Sequence, residues 1–550
     1  MEEALLPKNG CSKAASSIAT HTGGWKASFF IIGVEVAERM SYYSISSSLI
    51  TYLTNDLHQS TATAAKNVNI WSGVTAILPF LGAFLADVYW GRYRTTLLSS
   101  IIYLLGLICL TTSVSVPYLK PPPCDTTERF CSKATPLQIG VFFISLYLIA
   151  LGTGGHKPCI EAFGADQFDG DGEEDKHRSS FFNWWYFGQC FGALIALSIV
   201  LYIEENIGWG VGFAIPTVAM ALALFVFLCG SVFYQHKLPS DNLLVCVRRT
   251  VSECFVRPRM DVLHLDHLKF PDGAVGEDKQ PGEKSTSSSV EMQIEEFKLI
   301  QRLIPIWATC LMYGIVFAQS ATFFTKQGST MDRKIGGHFQ IPPASLQCLI
   351  AISILVLVPV YDWMLVPVAR KFTNHKRGIT LLQRIGFGMF IAMVAMVVAA
   401  LTEIKRLKEV KDNDLEDMPD AIVPMTIFWL LPQYVLYGIS EVFTMVGMQE
   451  YFYDQMPQSM RSLGIAVFLS VLGIGSFLSS IIISIVDDLS SRSSEGSWFS
   501  DNLNKAHLDY YYWLLAALSA INLCIYIFCA KRYNNVKVES NVLVEEDMQT

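Results

Sequence analysis

Apolar runs of about 20 residues recur along the whole chain, separated by short polar breaks. That is the length an α-helix needs to cross the hydrocarbon of a bilayer. Six runs lie near 27–53, 68–89, 95–117, 137–158, 180–203 and 209–234. A second six lie near 299–321, 343–369, 379–401, 422–449, 461–486 and 510–530. Between the two sets lies a stretch containing PDGAVGEDKQPGEKSTSSSVE, which cannot bury enough apolar area to fold alone. The pattern predicts an all-α membrane protein of twelve transmembrane helices in two six-helix bundles. Its parts are an N-terminal tail over 1–26, a bundle over 27–234, a linker over 235–297, a second bundle over 298–531 and a C-terminal tail over 532–550.

Basic residues near helix ends set the orientation, because they stay on the cytoplasmic side. Even-numbered connections carry Arg92 and Arg94, Lys176 and Arg178, Arg248, Arg249, Arg257 and Arg259, Arg370, Lys371, Lys376 and Arg377, and Arg461. Opposite connections are poorer, and ENIGW has no basic residue. The stretch 403–411 dissents, with four Lys or Arg among acids. The balance predicts cytoplasmic termini and a cytoplasmic linker.

Composition agrees with a membrane setting. Charged residues are 16% of the 550, against about 25% in a soluble domain, and hydrophobic residues are 51%. A net charge of -8 argues against nucleic acid, which wants a basic surface. The first apolar run already carries charges, so it predicts a retained helix and no cleavable signal. No CxxC pair or Cys/His cluster marks a metal site, and no cofactor is expected. Cys124 and Cys131 share one polar loop, so they are either a disulfide or two free thiols.

Ionisable groups within a spanning helix cost about 2.5–3.5 kcal/mol each, so they need partners or a wet cavity. Three places have them. In FFIIGVEVAERMSYYSI, Glu35, Glu38 and Arg39 are spaced i, i+3, i+4 and share one helical face. Two carboxylates with one guanidinium leave one acid without a counter-charge. The triplet is either a static ion pair or a site that takes up a proton. Lys157, in GTGGHKP, is either the missing counter-charge or a snorkelling interfacial lysine. Ser or Thr does not follow it, so a phosphate loop is excluded. Glu441 has no basic residue within a turn. It either meets a cationic substrate group or stays protonated and hydrogen-bonded.

These residues resemble a known family. Glu35-Val-Ala-Glu38-Arg39 is similar to the ExxER motif of the proton-dependent oligopeptide transporters, members of the major facilitator superfamily. GAFLADVYWGRYRT, GTGGHKPCIEAFGADQFD and FFNWWYFGQCFG resemble the signatures of helices 2 to 5. LPQYVLYGISEVFTMVGMQEYFYDQMP resembles helix 10 of the plant nitrate/peptide transporter branch. The resemblance implies a major facilitator fold and proton-coupled transport of small nitrogenous solutes by alternating access, not an enzyme. It implies proton coupling by Glu35, Glu38, Arg39 and Lys157. It implies substrate contact by Glu441, Lys157, Arg39, Tyr43, Phe317 and Gln319, and a conformational motif of Asp87, Gly91 and Arg92. Phe317 stands where a nitrate-carrying member has histidine, so nitrate binding by that imidazole is not available. A carrier of a hormone or specialised metabolite, an exporter, and a transporter-like receptor are the rival readings. The implied partners are a small-molecule substrate, protons and the bilayer of the plasma or vacuolar membrane. Thr95 follows Arg92-Tyr93-Arg94 and is a candidate kinase site.

Overall fold

The computed structural model describes residues 23–121, 134–168, 173–235, 303–336, 339–373, 379–419, 421–456, 461–492 and 496–547. Cys124, Cys131 and the linker expected over 235–297, apart from its first residue, lie outside the described residues. The first half holds α1 (Gly24–Asn55), α2 (Thr61–Leu85), α3 (Arg92–Ser115), α4 (Pro136–Ala165), α5 (Glu173–Ile195), α6 (Leu201–Asn206) and α7 (Trp209–Gly230). The second holds α8 (Leu303–Phe317) and α9 (Phe323–Ser329), α10 (Cys348–Val360), α11 (Val366–Thr373), α12 (Leu381–Asp412), α13 (Leu431–Asp454), α14 (Arg461–Ser491) and α15 (Leu508–Asp547). Single π-helical turns at Ala86–Trp90, Ala196–Val200 and Tyr361–Leu365 extend or join helices. Helix starts follow local chemistry. Thr135 and Thr380 each form a capping box with the glutamine three residues on.

Helices of each half pack mainly on one another: α1 on α5 and α7, α3 on α4 and α7, α12 on α13 and α15, and α10 on α13. The halves meet chiefly where α2 lies along α14, and where α5 touches α10. Among the described residues, nine helical segments are long and apolar enough to cross a membrane. The runs expected near 27–53, 299–321 and 422–449 are not among these nine. Helix α1 carries Glu35, Glu38, Arg39 and a run of serines. Ser41 and Ser48 hide their hydroxyls by donating to carbonyls one turn back, at 2.7 Å each. The third run's helix, Leu431–Asp454, is long enough but too polar, with Gln433, Glu441, Gln449 and Glu450 along it.

The run near 299–321 breaks: α8 stops at Phe317, and the chain turns before α9. Past it lie four short strands that the apolar pattern does not predict. Strand β1 (Met331–Asp332) pairs in parallel with β4 (Val423–Thr426), matching Met331 to Val423 and Asp332 to Thr426 across a bulge. Strands β2 (Lys334–Ile335) and β3 (Phe339–Gln340) form a small hairpin. Helix α15 runs on through Asp547, past the predicted end of the last span.

We call the end at which α1 begins the proximal face, and the end at which it finishes the distal face. Toward the distal face the bundles are bonded together. Arg333 donates to Glu205 at 2.9 Å, Lys326 to Thr54 at 2.9 Å, and the Thr61 amide to Asp501 at 2.9 Å. Nearer mid-height, Asn69 and Gln319 both donate to Ser479, at 3.0 and 3.2 Å, and Ser47 donates to Gln347 at 3.1 Å.

Candidate functional site

The carboxylates of α1 are placed by helix crossings that only glycine permits. Helix α5 lies so close that a Cβ on Gly192 would sit 2.5 Å from the Val36 carbonyl and 3.0 Å from Arg39 Cβ. Helix α4 approaches α2 through Gly82, where a Cβ would meet the Gly154 carbonyl at 2.2 Å. The first contact sets α5 against the charged face of α1, and the second sets α4 against α2.

On that face one guanidinium serves two acids. Arg39 Nε donates to Glu38 Oε2 at 2.5 Å and lies 3.2 Å from Glu35 Oε1, while Arg39 Nη2 also contacts Glu38. Gln189 Nε2 donates to Glu35 Oε1 at 2.9 Å. All three α1 side chains are buried, yet Glu35 Oε2, Glu38 Oε1 and Arg39 Nη2 have no hydrogen-bond partner among the described residues. The guanidinium lies 5.4 Å from the Tyr42 ring centre.

Lys157 does not close this pair. It lies within Coulombic reach of Glu38, Glu35 and Glu161, but makes no ion pair with them within 4 Å. The reason is geometric, since Arg39 already reaches both carboxylates. The residue before Lys157 goes deeper. His156 is fully buried, and its ligand atom and one from each of Glu35 and Glu38 lie within 4.8 Å of one another. Three such groups could in principle hold a metal ion. The guanidinium already touching both carboxylates opposes a divalent cation by like charge.

Glu441 on α13 is half-buried, and among the described residues it has neither a hydrogen bond nor an ion pair. It lies within Coulombic reach of Tyr43 on α1, Tyr186 and Cys190 on α5, and Tyr313 on α8. Both bundles therefore contribute to its surroundings. Phe317 packs toward the same region, its ring 6.2 Å from that of Tyr437. Gln319 sits instead in the break after α8, fully buried, and binds Ile315 and Ser479. It belongs to the seam between α8, α14 and α2.

At the proximal face Gly91 takes a φ of +77°, a conformation suited to glycine, and starts α3. Arg92 Nη1 is 2.7 Å from Asp166 Oδ2, tying α3 to the end of α4. The Asp87 side chain lies outside the described residues. Thr95 is buried and donates to the Gly91 carbonyl at 3.0 Å, so a kinase reaches it only if the start of α3 opens.

Sequence reasoning missed His156, Gln189 and the distal pair Glu205–Arg333. His156 and Gln189 were visible as polar residues inside apolar helices. The Arg333 partner depends on the hairpin, which no periodicity signals.

The model of the POT family matches residues 93–499 of this chain. The Arabidopsis thaliana protein NRT1/PTR family 5.10 is 50% identical over 537 residues, covering 96% of each chain. Its relative NRT1/PTR family 5.12 is 46% identical over 526 residues, covering 94% of each. Among solved structures, an auto-inhibited POT family peptide transporter superposes with a TM-score of 0.69 at 21% identity, over 92% of this chain and 97% of its own. A POT family transporter in complex with 5-aminolevulinic acid gives 0.63 at 16%, over 92% and 96%. At those identities the structural likeness speaks for the fold alone.

Proposed function

The chain belongs to the POT family of membrane transporters, and on that premise we propose that it moves small nitrogenous solutes together with protons by alternating access. It is a multi-pass membrane transporter of the major facilitator fold and not an enzyme. The observation that carries proton coupling is the α1 site: two buried carboxylates on one guanidinium, with an oxygen of each left bare. One added proton balances the charge there, and losing it restores the excess acid. Arg92 and Arg94, Lys371 and the other basic residues near the proximal ends support a cytoplasmic position for that face. The bonded distal face supports reading this as an arrangement closed toward the outside.

The cycle runs on charge. With the distal face open, a proton loads the Glu35 and Glu38 pair. That loosens Arg39, which together with Lys157, already without an ion pair to these acids, can meet an anionic group of the substrate. Glu441 meets a cationic group from the other bundle. A filled, charge-balanced site lets the distal contacts close and the proximal halves part. The proton and the solute leave toward the cytoplasm, and the proton gradient supplies the work. Glu441 without a local cation favours substrates bearing an amine, and 5-aminolevulinic acid in a structural neighbour is such a molecule. The aromatic side chains around Glu441 support a second reading, a larger planar metabolite or hormone on the same fold.

The test is uptake in oocytes at acid and neutral external pH, across labelled dipeptides, nitrate and plant hormones. We expect inward currents with at least one amine-bearing solute that grow as the medium is acidified. Uptake indifferent to the pH gradient for every solute removes proton coupling.

A further inference from the structure

We propose that His156 is a proton-exchanging member of the α1 carboxylate site, sharing the coupling proton with Glu35 and Glu38. The inference rests on the proton-coupled reading of that site. Three observations carry it. The imidazole is fully buried, and neither of its nitrogens has a hydrogen-bond partner among the described residues. It sits with Glu35 and Glu38 in a group whose ligand atoms all lie within 4.8 Å of one another, and each carboxylate also has one bare buried oxygen. Its position is locked, because Cβ atoms added at Gly152, Gly154 and Gly155 would meet Tyr103, Leu78 and Ser99 at 2.6, 2.6 and 2.0 Å. Helix α4 therefore has little freedom to turn the ring away.

A core histidine with only a structural task ordinarily gives its N–H to a carbonyl or carboxylate. This one faces acids that outnumber their cation. The charged and titratable groups around it are Glu35, Glu38 and Arg39 from α1, Tyr103 from α3, and Lys157 and Glu161 from its own helix. Helix α5 contributes the neutral Gln189. The one ionisable side chain of α2 is Lys66, which faces Asp487 instead at 3.8 Å. Two carboxylates and one guanidinium carry one surplus negative charge. A single proton cancels it whether it rests on a carboxyl oxygen or on the imidazole. In the transfer a carboxyl O–H bond breaks and an imidazole N–H bond forms, leaving a carboxylate beside an imidazolium. The imidazolium then competes with Arg39 for Glu38. Proton loading thereby gives Glu38 a cation of its own and loosens the guanidinium, which can lean toward a substrate anion while it still faces Glu35.

The experiment follows histidine signals by NMR in the purified full-length protein, labelled at histidine, across acid to neutral pH. The His156 signal is the one missing in His156→Gln, with His156→Asn as the second variant if Gln fails to fold. We expect this signal to titrate, and its midpoint to move to lower pH by about one unit or more in Glu38→Gln, since an anion that favours imidazolium is gone. A His156 signal that never titrates, or one indifferent to Glu38→Gln, overturns the proposal. So does Zn2+ binding by the wild type that vanishes in His156→Gln, which makes the cluster a metal site. Wild-type uptake separates the two levels of argument. If uptake follows the pH gradient but His156 stays silent, this proposal alone falls. If His156 titrates but uptake ignores the gradient, the proton-coupled reading falls instead.

Discussion

Each bundle buries an arginine against glutamate on one helical face, and the two clusters differ in whether their atoms are satisfied. In α12, Arg406 and Glu403 are both fully buried and joined by two contacts, Nη2 to Oε1 at 2.5 Å and Nε to Oε2 at 2.9 Å. Gln327 donates to Glu403 at 2.8 Å. Arg406 donates further to Asn504, Thr330 and the Leu503 carbonyl. No polar atom of this pair is left without a partner. In α1 there are two acids per cation, and four of the site's residues, His156 included, show buried atoms without a hydrogen-bond partner among the described residues. Nearly the same local spacing gives a staple in one bundle and a chargeable site in the other. What separates them is stoichiometry and completeness of bonding, which decide whether a proton has somewhere to go.

The staple side predicts the largest effect. Arg406→Met leaves Glu403 buried without a counter-charge, which costs about 3–5 kcal/mol. Thermal unfolding in detergent should show a large drop in midpoint. Replacing both partners, Glu403→Leu with Arg406→Met, should recover most of it, because two apolar groups leave no charge unpaired. A single variant that melts with the wild type breaks the comparison from this side.

Glu38→Gln sharpens the comparison from the other side. It turns the α1 site into one acid and one cation, the ratio found in α12. Stability should stay within about 1 kcal/mol of wild type, or rise. Uptake driven by a pH gradient should fall at least about tenfold, equivalent to roughly 1.4 kcal/mol of lost driving interaction. Loss of folding together with uptake shows that the α1 charges are a staple after all.

How far the sequence carries this contrast can be judged residue by residue. The bundle helices and Glu35, Glu38 and Arg39 are legible, because charges inside apolar runs stand out against a strong background. Glu403 and Arg406 misled, since a stretch with four basic residues reads as a loop that dissents from the orientation rule. In the structure it is the last part of α12: Arg406 is buried in the staple, and Lys405 lies over the Trp429 ring. The strands and the break at Gln319 were not legible, because two-residue pairings carry no periodicity. The stand-off of Lys157 was not legible either, since it follows from where Arg39 points and not from spacing.

A smaller and more selective effect is expected at Glu441, which contrasts with both clusters by having no hydrogen-bond or ion-pair partner among the described residues. Glu441→Gln should abolish uptake of amine-bearing solutes, spare purely anionic ones and leave unfolding unchanged. If amine-bearing solutes still enter while nitrate uptake disappears, Glu441 serves coupling and the substrate reading is wrong.

The smallest effect belongs to an ion pair at the surface, which tests whether burial and not pairing makes the α12 cluster a staple. Lys505 Nζ donates to Asp417 Oδ1 at 2.5 Å, as short as the Arg406 contact, yet both side chains are largely in water. The hydrogen bond and charge of Lys505 hold the Asp417 carboxyl below its ordinary range, and Asp417 holds the Lys505 amine above its own. A depressed acid contributes stability above its unfolded value and loses it as pH falls through the folded one. A raised amine contributes below its unfolded value and loses it as pH rises through the folded one. The pair is therefore intact and pH-independent across the neutral range, fading only at the acid and alkaline ends. Full exposure leaves it screened by salt and offset by the ordering of two long side chains. Asp417→Asn should thus leave melting and uptake at neutral pH unchanged at physiological salt, with any difference confined to low ionic strength. Melting curves of wild type and variant at low and high salt measure this directly. A drop approaching that of Arg406→Met means that contact geometry, and not desolvation, sets the strength of these pairs, and the contrast between the two buried clusters loses its physical basis.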